Sequence, residues 1–157
     1  MKWILIAILI IVVMLIAKSF TEQYIEKYNF YFNLKNFFNQ FKINLSFKKN
    51  KILEFLDSIN AKREFAKFKH SYIQFLSTGE LNLNEIKVID FDEKSRLKDM
   101  VLSMGKFDAK NEIIQLETYI IEIDDKLKKA EIDKTKLCPL ILKLSLLFAI
   151  GFAIILL

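Results

Sequence analysis

The chain has 157 residues, of which 53% are hydrophobic and 27% are charged, with only 3 glycines and 1 proline. So little glycine and proline excludes a disordered linker and a turn-rich all-β fold. One cysteine and one histidine exclude an intrachain disulfide and the usual nitrogen and sulfur metal-ligand clusters, and the net charge of +5 is modest.

The first predicted element is an apolar segment without a charge, from Trp3 to Ala17. As a helix it would be ~22 Å long, against ~30 Å for the hydrocarbon core of a bilayer. Extension to Phe20 brings it closer to a full span, because Lys18 can direct its ammonium to the interface. A cleaved signal peptide is the alternative, although Lys18 would then lie between the small residues of its cleavage site. We favour retention and predict a transmembrane helix over residues 1–20.

An aromatic stripe follows, with apolar residues mostly three or four positions apart: Phe20, Tyr24, Tyr28, Tyr31, Phe32, Phe37, Phe38, Phe41 and Leu45. This spacing predicts a helix continuous with the first membrane helix. Ser46 predicts its end and can cap a short second helix over Ile52–Ile59. A third helix is predicted from Phe65 to Leu76, ended by Gly79, since glycine suits the left-handed position after a helix.

The next segment carries weaker signals. Asn82 or Asn84 is predicted to cap a short helical segment through Ile86–Ile89. Asp92 is predicted to cap a further helix, which Gly105 ends. No segment of the sequence has convincing strand alternation, so the predicted fold class is all-α.

The longest helical pattern opens at Asp108, and its apolar residues recur to Ala130. The second apolar run, Leu144–Leu157, extends back to give about 20 residues, the length that a transmembrane helix needs. Pro139 would lie in the first turn of that helix, where its missing N–H costs nothing. A buried core helix is the alternative for this run. We predict a membrane helix over residues 137–157, joined to the preceding pattern as one long helix.

Lysines flank both apolar runs on their inner sides, namely Lys18, Lys27, Lys128, Lys129, Lys134, Lys136 and Lys143. By the positive-inside rule, residues 21–136 are cytoplasmic and both termini face outward. The predicted architecture is thus a membrane hairpin of N- and C-terminal transmembrane helices with a cytoplasmic helical bundle between them. Residues 18–69 hold 11 basic and 5 acidic side chains, which favours attraction to anionic membrane lipid over nucleic-acid binding.

The sequence offers no catalytic motif. Gly105-Lys106 lacks the preceding glycine and the following hydroxyl residue of a phosphate loop, and HExxH, GxSxG and CxxC patterns are absent. His70 is interpreted as a surface or boundary residue, and Cys138 as a membrane-interface residue. The acidic residues of the long helix are interpreted as a solvated face: Glu117, Glu122, Asp124 and Asp125. We predict a protein that is not an enzyme and has no catalytic residues, metal or cofactor.

One basic cluster, Lys48, Lys49 and Lys51, lies between the first two predicted helices. Its simplest interpretation is a solvated turn. The functional interpretation is a docking site for lipid or for an acidic partner, because lysines near a membrane surface are attracted to anionic groups. These three residues are the candidate binding site of the chain.

Several segments in order along the chain carry a resemblance to a known family. The stretch from Leu34–Phe38 through Ile52–Ile59 resembles the first cytoplasmic helix pair of the stage III sporulation protein AB family. Leu97–Asp108 resembles its leucine-rich helix closed by a Leu-Gly turn, and Lys136–Leu157 resembles its C-terminal anchor. Two segments depart from the pattern: Gly79–Glu93, which is shorter, and Leu45–Lys49, where members often carry a Tyr-Gly-x-x-Pro-like turn.

The resemblance implies a cytoplasmic part similar to the helical domain of type II secretion F proteins. It implies a platform subunit in a bacterial cell membrane, which is the mother-cell membrane if the organism sporulates. The expected partners are an AA-type secretion ATPase and other membrane subunits of a channel complex, with homo-oligomerisation left open. The alternatives are a small membrane-active, holin-like protein and another kind of membrane-anchored interaction protein.

Overall fold

The structure, a computed structural model, describes residues 2–47, 54, 56, 61 and 63–156. Four helices cover most of these residues: α1 (Lys2–Phe47), α2 (Arg63–Thr78), α3 (Phe91–Ser103) and α4 (Ala109–Leu156). The described ranges contain no strand. The predicted all-α fold class is therefore confirmed.

The chain divides into two compact units. The first, which we call the hairpin unit, comprises Met1–Tyr28 and Lys129–Leu157. The second, the central unit, is Asn29–Lys128. The division into residues 1–20, 21–136 and 137–157 stays a prediction. The predicted helix over Ile52–Ile59 lies outside the described residues apart from two helical positions, Glu54 and Leu56.

Helix α1 is 46 residues long and has no break between its apolar start and its aromatic stripe. The predicted continuity of these two segments is confirmed. The described part of α1 reaches Phe47 and the next residues lie outside the described ones, so the end predicted at Ser46 stays a prediction. In the central unit this helix buries Phe30, Leu34, Phe37 and Phe38, which are spaced three and four residues apart as a single buried face requires.

Helix α4 is 48 residues long and begins directly after Asp108, as predicted. The Asp108 carbonyl accepts a hydrogen bond from the Glu112 N–H at 2.9 Å, and its carboxylate accepts one from the Asn111 amide. Pro139 lies inside this helix, so its predicted place in a first turn is wrong. A helix of this length keeps many hydrogen-bonded turns on both sides of Pro139, which offset the ~3 kcal/mol that an interior proline costs.

Helix α2 ends as predicted, with Gly79 at a φ of +76°. The Gly79 N–H donates to the Phe75 carbonyl at 2.8 Å. The following loop is not the short helix predicted through Ile86–Ile89, because its polar groups are bound otherwise. The Asn82 side chain accepts from the Asn84 N–H at 3.0 Å, and the loop packs apolar residues into the core: Leu81, Leu83, Ile86 and Ile89.

The cap of α3 is Asp90, and not Asp92 as predicted. The Asp90 carboxylate accepts from the Glu93 N–H at 2.8 Å, and the Glu93 carboxylate accepts from the Asp90 N–H at 3.2 Å. This reciprocal pair is a capping box, which requires the acidic residue three positions after the cap. Gly105, at a φ of +80°, follows the end of α3 as predicted.

The core of the central unit is a cluster of aromatic rings. Phe37 contacts Tyr72 and Phe68 edge to face, with ring centroids 5.0 and 5.4 Å apart. Phe30 contacts Phe65 and Phe68 in the same way at 6.3 and 6.4 Å. Edge-to-face contact is the favoured geometry for such pairs, so the aromatic stripe predicted from sequence packs α1 against α2.

Candidate functional site

The hairpin unit carries a large exposed apolar surface on both of its helices. On α1 the exposed apolar side chains are Ile4, Ile8, Ile11, Val12, Met14, Leu15, Ile16, Phe20 and Ile25. On α4 they are Ile132, Leu140, Leu142, Leu144, Leu146, Leu147, Phe148, Ile150, Phe152, Ile154 and Ile155. The largest apolar patch of a typical soluble monomer is about 300–600 Å². The exposed apolar side chains of α1 and α4 together form a surface that needs an apolar solvent or a partner.

Both helices are long and apolar enough to cross a membrane, by length and composition. The two candidate spans are Ile6–Ile43 and Lys110–Ile155. Only 17% and 11% of their apolar windows are buried, whereas the core helix of a soluble protein is mostly buried. This low burial weighs against the buried core helix that the sequence left as an alternative.

The two helices of the hairpin unit run antiparallel in a definite register. The Ser145 hydroxyl lies 4.0 Å from the Met14 sulfur, and the Cys138 thiol lies 3.6 Å from the Thr21 carbonyl oxygen. Both contacts advance by seven residues, forward along α1 and backward along α4. A repeat of seven residues keeps one face of each helix against its neighbour, as in a coiled coil.

Small side chains occupy the contact between the two helices, which we call the seam. Ala17 and Thr21 on α1 are buried, as are Ala130 and Ala149 on α4. Small residues let helix backbones approach closely, which is how helices associate where the solvent is itself apolar. Most of the large apolar side chains of the two helices lie outside the seam, with Ile6 as a buried exception.

Three polar side chains of the hairpin unit, on Thr21, Ser145 and Lys134, have partners within it. The Thr21 hydroxyl donates to the Lys18 carbonyl at 2.9 Å, and the Ser145 hydroxyl donates to the Leu142 carbonyl at 2.9 Å. The Lys134 ammonium lies 4.0 Å from the centre of the Tyr28 ring, a cation–π contact. Hydroxyl groups bonded to their own helix are compatible with an apolar environment.

The central unit contains a cavity of about 340 Å³ among α1, α3 and α4. Its floor is apolar and consists of Phe30, Leu34, Ile89, Leu97, Met100 and Ile123. Its rim includes two ion pairs. The Arg96 guanidinium binds both oxygens of Glu122 at 2.8–3.1 Å, and the Lys126 ammonium binds Glu93 at 3.1 Å. An apolar floor with a paired rim can hold an apolar group, but it provides no activated nucleophile.

The predicted acidic face of α4 is paired with cations. Asp124 binds Lys35 of α1 at 2.5 Å and Lys128 at 2.7 Å. Glu117 binds Lys42 at 3.3 Å. The contacts with Lys35 and Lys42 join α4 to α1 within the central unit, so part of this face is an interhelical surface. Among the residues whose placement is described, no three His, Cys, Asp or Glu side chains converge to hold a metal ion.

The structure describes two of the residues singled out from the sequence, His70 and Cys138, but not the three lysines of the candidate binding site. Lys48, Lys49 and Lys51 lie outside the described residues, and their role as a docking site stays a prediction. His70 is exposed on α2, and Cys138 is half-buried in the seam.

Comparisons with protein-family models, curated proteins and solved structures found no match for this chain. The resemblance to the stage III sporulation protein AB family therefore rests on the sequence segments alone.

Two buried acids were missed by sequence reasoning, Glu64 and Glu112. The Glu64 carboxylate accepts from the Lys87 N–H at 2.5 Å and pairs with Lys67. Burial raises the pKa of Glu64, but hydrogen bonds from Lys67 and Lys87 outweigh it, and the net pKa lies below its ordinary value of 4.5. The partner Lys87 is distant in sequence, so no local pattern signals this contact.

Proposed function

We propose that this protein is a non-enzymatic membrane platform. In this proposal the hairpin unit crosses the membrane with both helices, and the cytoplasmic part of the chain receives a secretion ATPase. The observation that carries the membrane half is the exposed apolar surface on α1 and α4. Transfer of these half-exposed side chains from water to lipid would contribute on the order of 10–20 kcal/mol.

The backbone of the hairpin unit also suits a membrane. Helices satisfy their own N–H and C=O groups, which hydrocarbon cannot do for them. Lys18 and Lys143 are exposed and have stems long enough to direct their ammonium groups towards the headgroups. The small residues of the seam match the way in which membrane helices pack, because large apolar side chains gain nothing by leaving lipid.

The platform half of the proposal rests on continuity of the helices and on the sequence resemblance. Helices α1 and α4 each pass from one compact unit to the other without a loop. A subunit that receives the motion of an ATPase needs long helices that are continuous along the chain. The resemblance suggests an AA-type secretion ATPase as the partner, other channel subunits as neighbours, and Lys48, Lys49 and Lys51 as a docking cluster.

A holin-like pore former is the alternative in another class. A pore needs polar side chains along one face of a membrane helix. In the hairpin unit, Ser145 bonds its own helix and lies against Met14, while Cys138 faces Thr21. Within residues 3–20 and 137–156, the polar residues outside these contacts are Lys18, Ser19 and Lys143. They do not form a polar face along either helix, which favours an anchor over a pore.

Membrane insertion and topology can be tested by cysteine labelling in a Cys138→Ser background. Ser95 is exposed on α3, so Ser95→Cys should react with an impermeant maleimide in inverted vesicles but not in right-side-out vesicles. Lys2→Cys is the matched control and should show the opposite pattern. Release of the full chain from membranes by carbonate would contradict the anchor itself.

The partner can be tested by co-purification from detergent. The ATPase encoded by the same organism and the full chain are expressed together, and the ratio of the two proteins is measured after purification. Charge reversal at Lys48, Lys49 and Lys51 should reduce that ratio, whereas reversal of the exposed pair Lys106 and Lys110 should not. Equal recovery from both variants would remove the lysine cluster from the proposal.

A further inference from the structure

The two helices of the hairpin unit place a lysine at almost the same level. Met14 lies beside Ser145 and Thr21 beside Cys138, so position 18 of α1 is level with position 141 of α4. Lys143 is two residues from that position, a distance of ~3 Å along a helix. Lys18 and Lys143 therefore mark almost the same level on the two helices, which we call the lysine boundary.

The apolar layer on α1 between this level and Lys2 is thin. Lys2 and Lys18 enclose a run of 15 residues without a charge, which is ~22 Å of helix. The part of α4 at the same levels, residues 144–156, is apolar apart from Ser145, whose hydroxyl is bonded to the Leu142 carbonyl. The usual hydrocarbon core is ~30 Å thick.

A layer that extended beyond this level, to Phe20 on α1 and to Leu137 on α4, would have to include both lysines. A deeper position of the hairpin unit would bring the ammonium groups of Lys18 and Lys143 into hydrocarbon together, since the register holds them level. Each ammonium would then have to reach the headgroups along its own stem. If only one helix carried a lysine at this level, a tilt of the unit could accommodate a thicker membrane more easily.

We propose that the hairpin unit selects thin bilayers, with a hydrocarbon layer closer to ~22 Å than to ~30 Å, and that Lys18 and Lys143 set this preference. The proposal rests on the membrane anchor proposed above and deepens it, because it names the kind of lipid that the anchor fits. The chemical partner is a phospholipid with short acyl chains. Such a preference would direct the protein to thin membranes or thin regions of a membrane.

The test uses the full chain and phosphatidylcholine vesicles with monounsaturated chains of 14, 18 or 22 carbons. The inserted fraction is measured by flotation after a carbonate wash, and the fluorescence of Trp3, the only tryptophan, gives a second readout of insertion. The inserted fraction should fall about threefold or more from the shortest to the longest chains. The Lys18→Leu/Lys143→Leu variant should lose most of this dependence.

A matched control removes two exposed lysines of the central unit, Lys106→Leu/Lys110→Leu, and should keep the wild-type dependence. Equal insertion of the wild type at all three chain lengths would overturn the thickness preference and leave the membrane anchor intact. Absence of insertion in every vesicle would overturn the anchor. An unchanged dependence in the Lys18→Leu/Lys143→Leu variant would overturn the role of these two lysines.

Discussion

The carboxylate of Glu112 accepts a hydrogen bond from the backbone N–H of Gly105 at 2.8 Å, although only 2% of Glu112 is exposed. Its second oxygen accepts from the Phe107 N–H at 3.4 Å. The N–H groups of the turn between α3 and α4 thus have a charged acceptor supplied by the first turn of α4. A buried carboxylate is tolerated because these donors replace part of the water that it loses.

Replacement Glu112→Ala should therefore lower the stability of the central unit by about 1–3 kcal/mol, since it removes the buried acceptor of the two turn N–H groups. The measurement is thermal unfolding followed by circular dichroism in detergent micelles. Glu117→Ala is the control, because Glu117 is exposed and its ion pair with Lys42 contributes ~0–1 kcal/mol. Equal effects of the two substitutions would contradict the structural role of Glu112.

The Glu64 carboxylate should make the stability of the central unit depend on pH. Its pKa is lowered in the folded protein, so its contribution is fully present above its ordinary pKa of 4.5 and is lost as the pH falls through the lowered value. Glu64→Gln should cost about 1–3 kcal/mol at pH 7. The stability curves of wild type and variant should converge at acidic pH. Lys67→Met, which removes one partner, should give an intermediate curve, and parallel curves would contradict the assignment.

The aromatic core should be far more sensitive to truncation than an exposed ring. Phe37→Ala removes a ring that is 1% exposed and contacts Phe68 and Tyr72, and it should cost about 3–5 kcal/mol. Phe91→Ala is the matched control, because Phe91 is 82% exposed and should change stability by less than about 0.5 kcal/mol. Chemical unfolding in micelles measures both, and a large effect at Phe91 would reveal a contact of that ring in solution.

The cap of α3 distinguishes two aspartates that are separated by one residue. Asp90→Ala should destabilise the central unit by about 0.5–2 kcal/mol, since it removes both the cap and one half of the capping box. Asp92→Ala should cost less, because Asp92 contributes only its charge near the start of the helix. Hydrogen exchange of the first α3 amides gives a local measurement, and greater loss of protection in Asp92→Ala would restore the cap predicted from sequence.

The register of the seam can be tested by disulfide formation in a Cys138→Ser background. Met14→Cys with Ser145→Cys should oxidise readily within one chain, because the native side chains lie 4.0 Å apart. Leu15→Cys with Ser145→Cys is the control and should oxidise far more slowly, since Leu15 points away from the seam and is 61% exposed. Similar rates for the two pairs, measured by mass spectrometry of the intact chain, would be incompatible with the register.

The spacing of apolar residues predicted a helix correctly wherever the pattern repeats over many residues. The stripe after Phe20 predicted the long helix α1, and the pattern after Asp108 predicted α4. Local spacing failed at single positions. Asp90 and Asp92 are both suitable caps, and Pro139 fits either a first turn or an interior position, so each choice depends on how the neighbouring backbone packs.

Amino-acid order was sufficient for the helical class and for the two apolar runs, because helical periodicity and hydrophobicity are properties of neighbouring residues. The level of Lys18 against Lys143, the burial of Glu64 and Glu112 and the pairing of Asp124 with Lys35 required the folded chain. Each of these joins groups that are brought together by packing, and in most cases those groups are far apart in sequence. The register of two helices depends on which small side chains meet in the seam, and one helix alone contains no information about that choice.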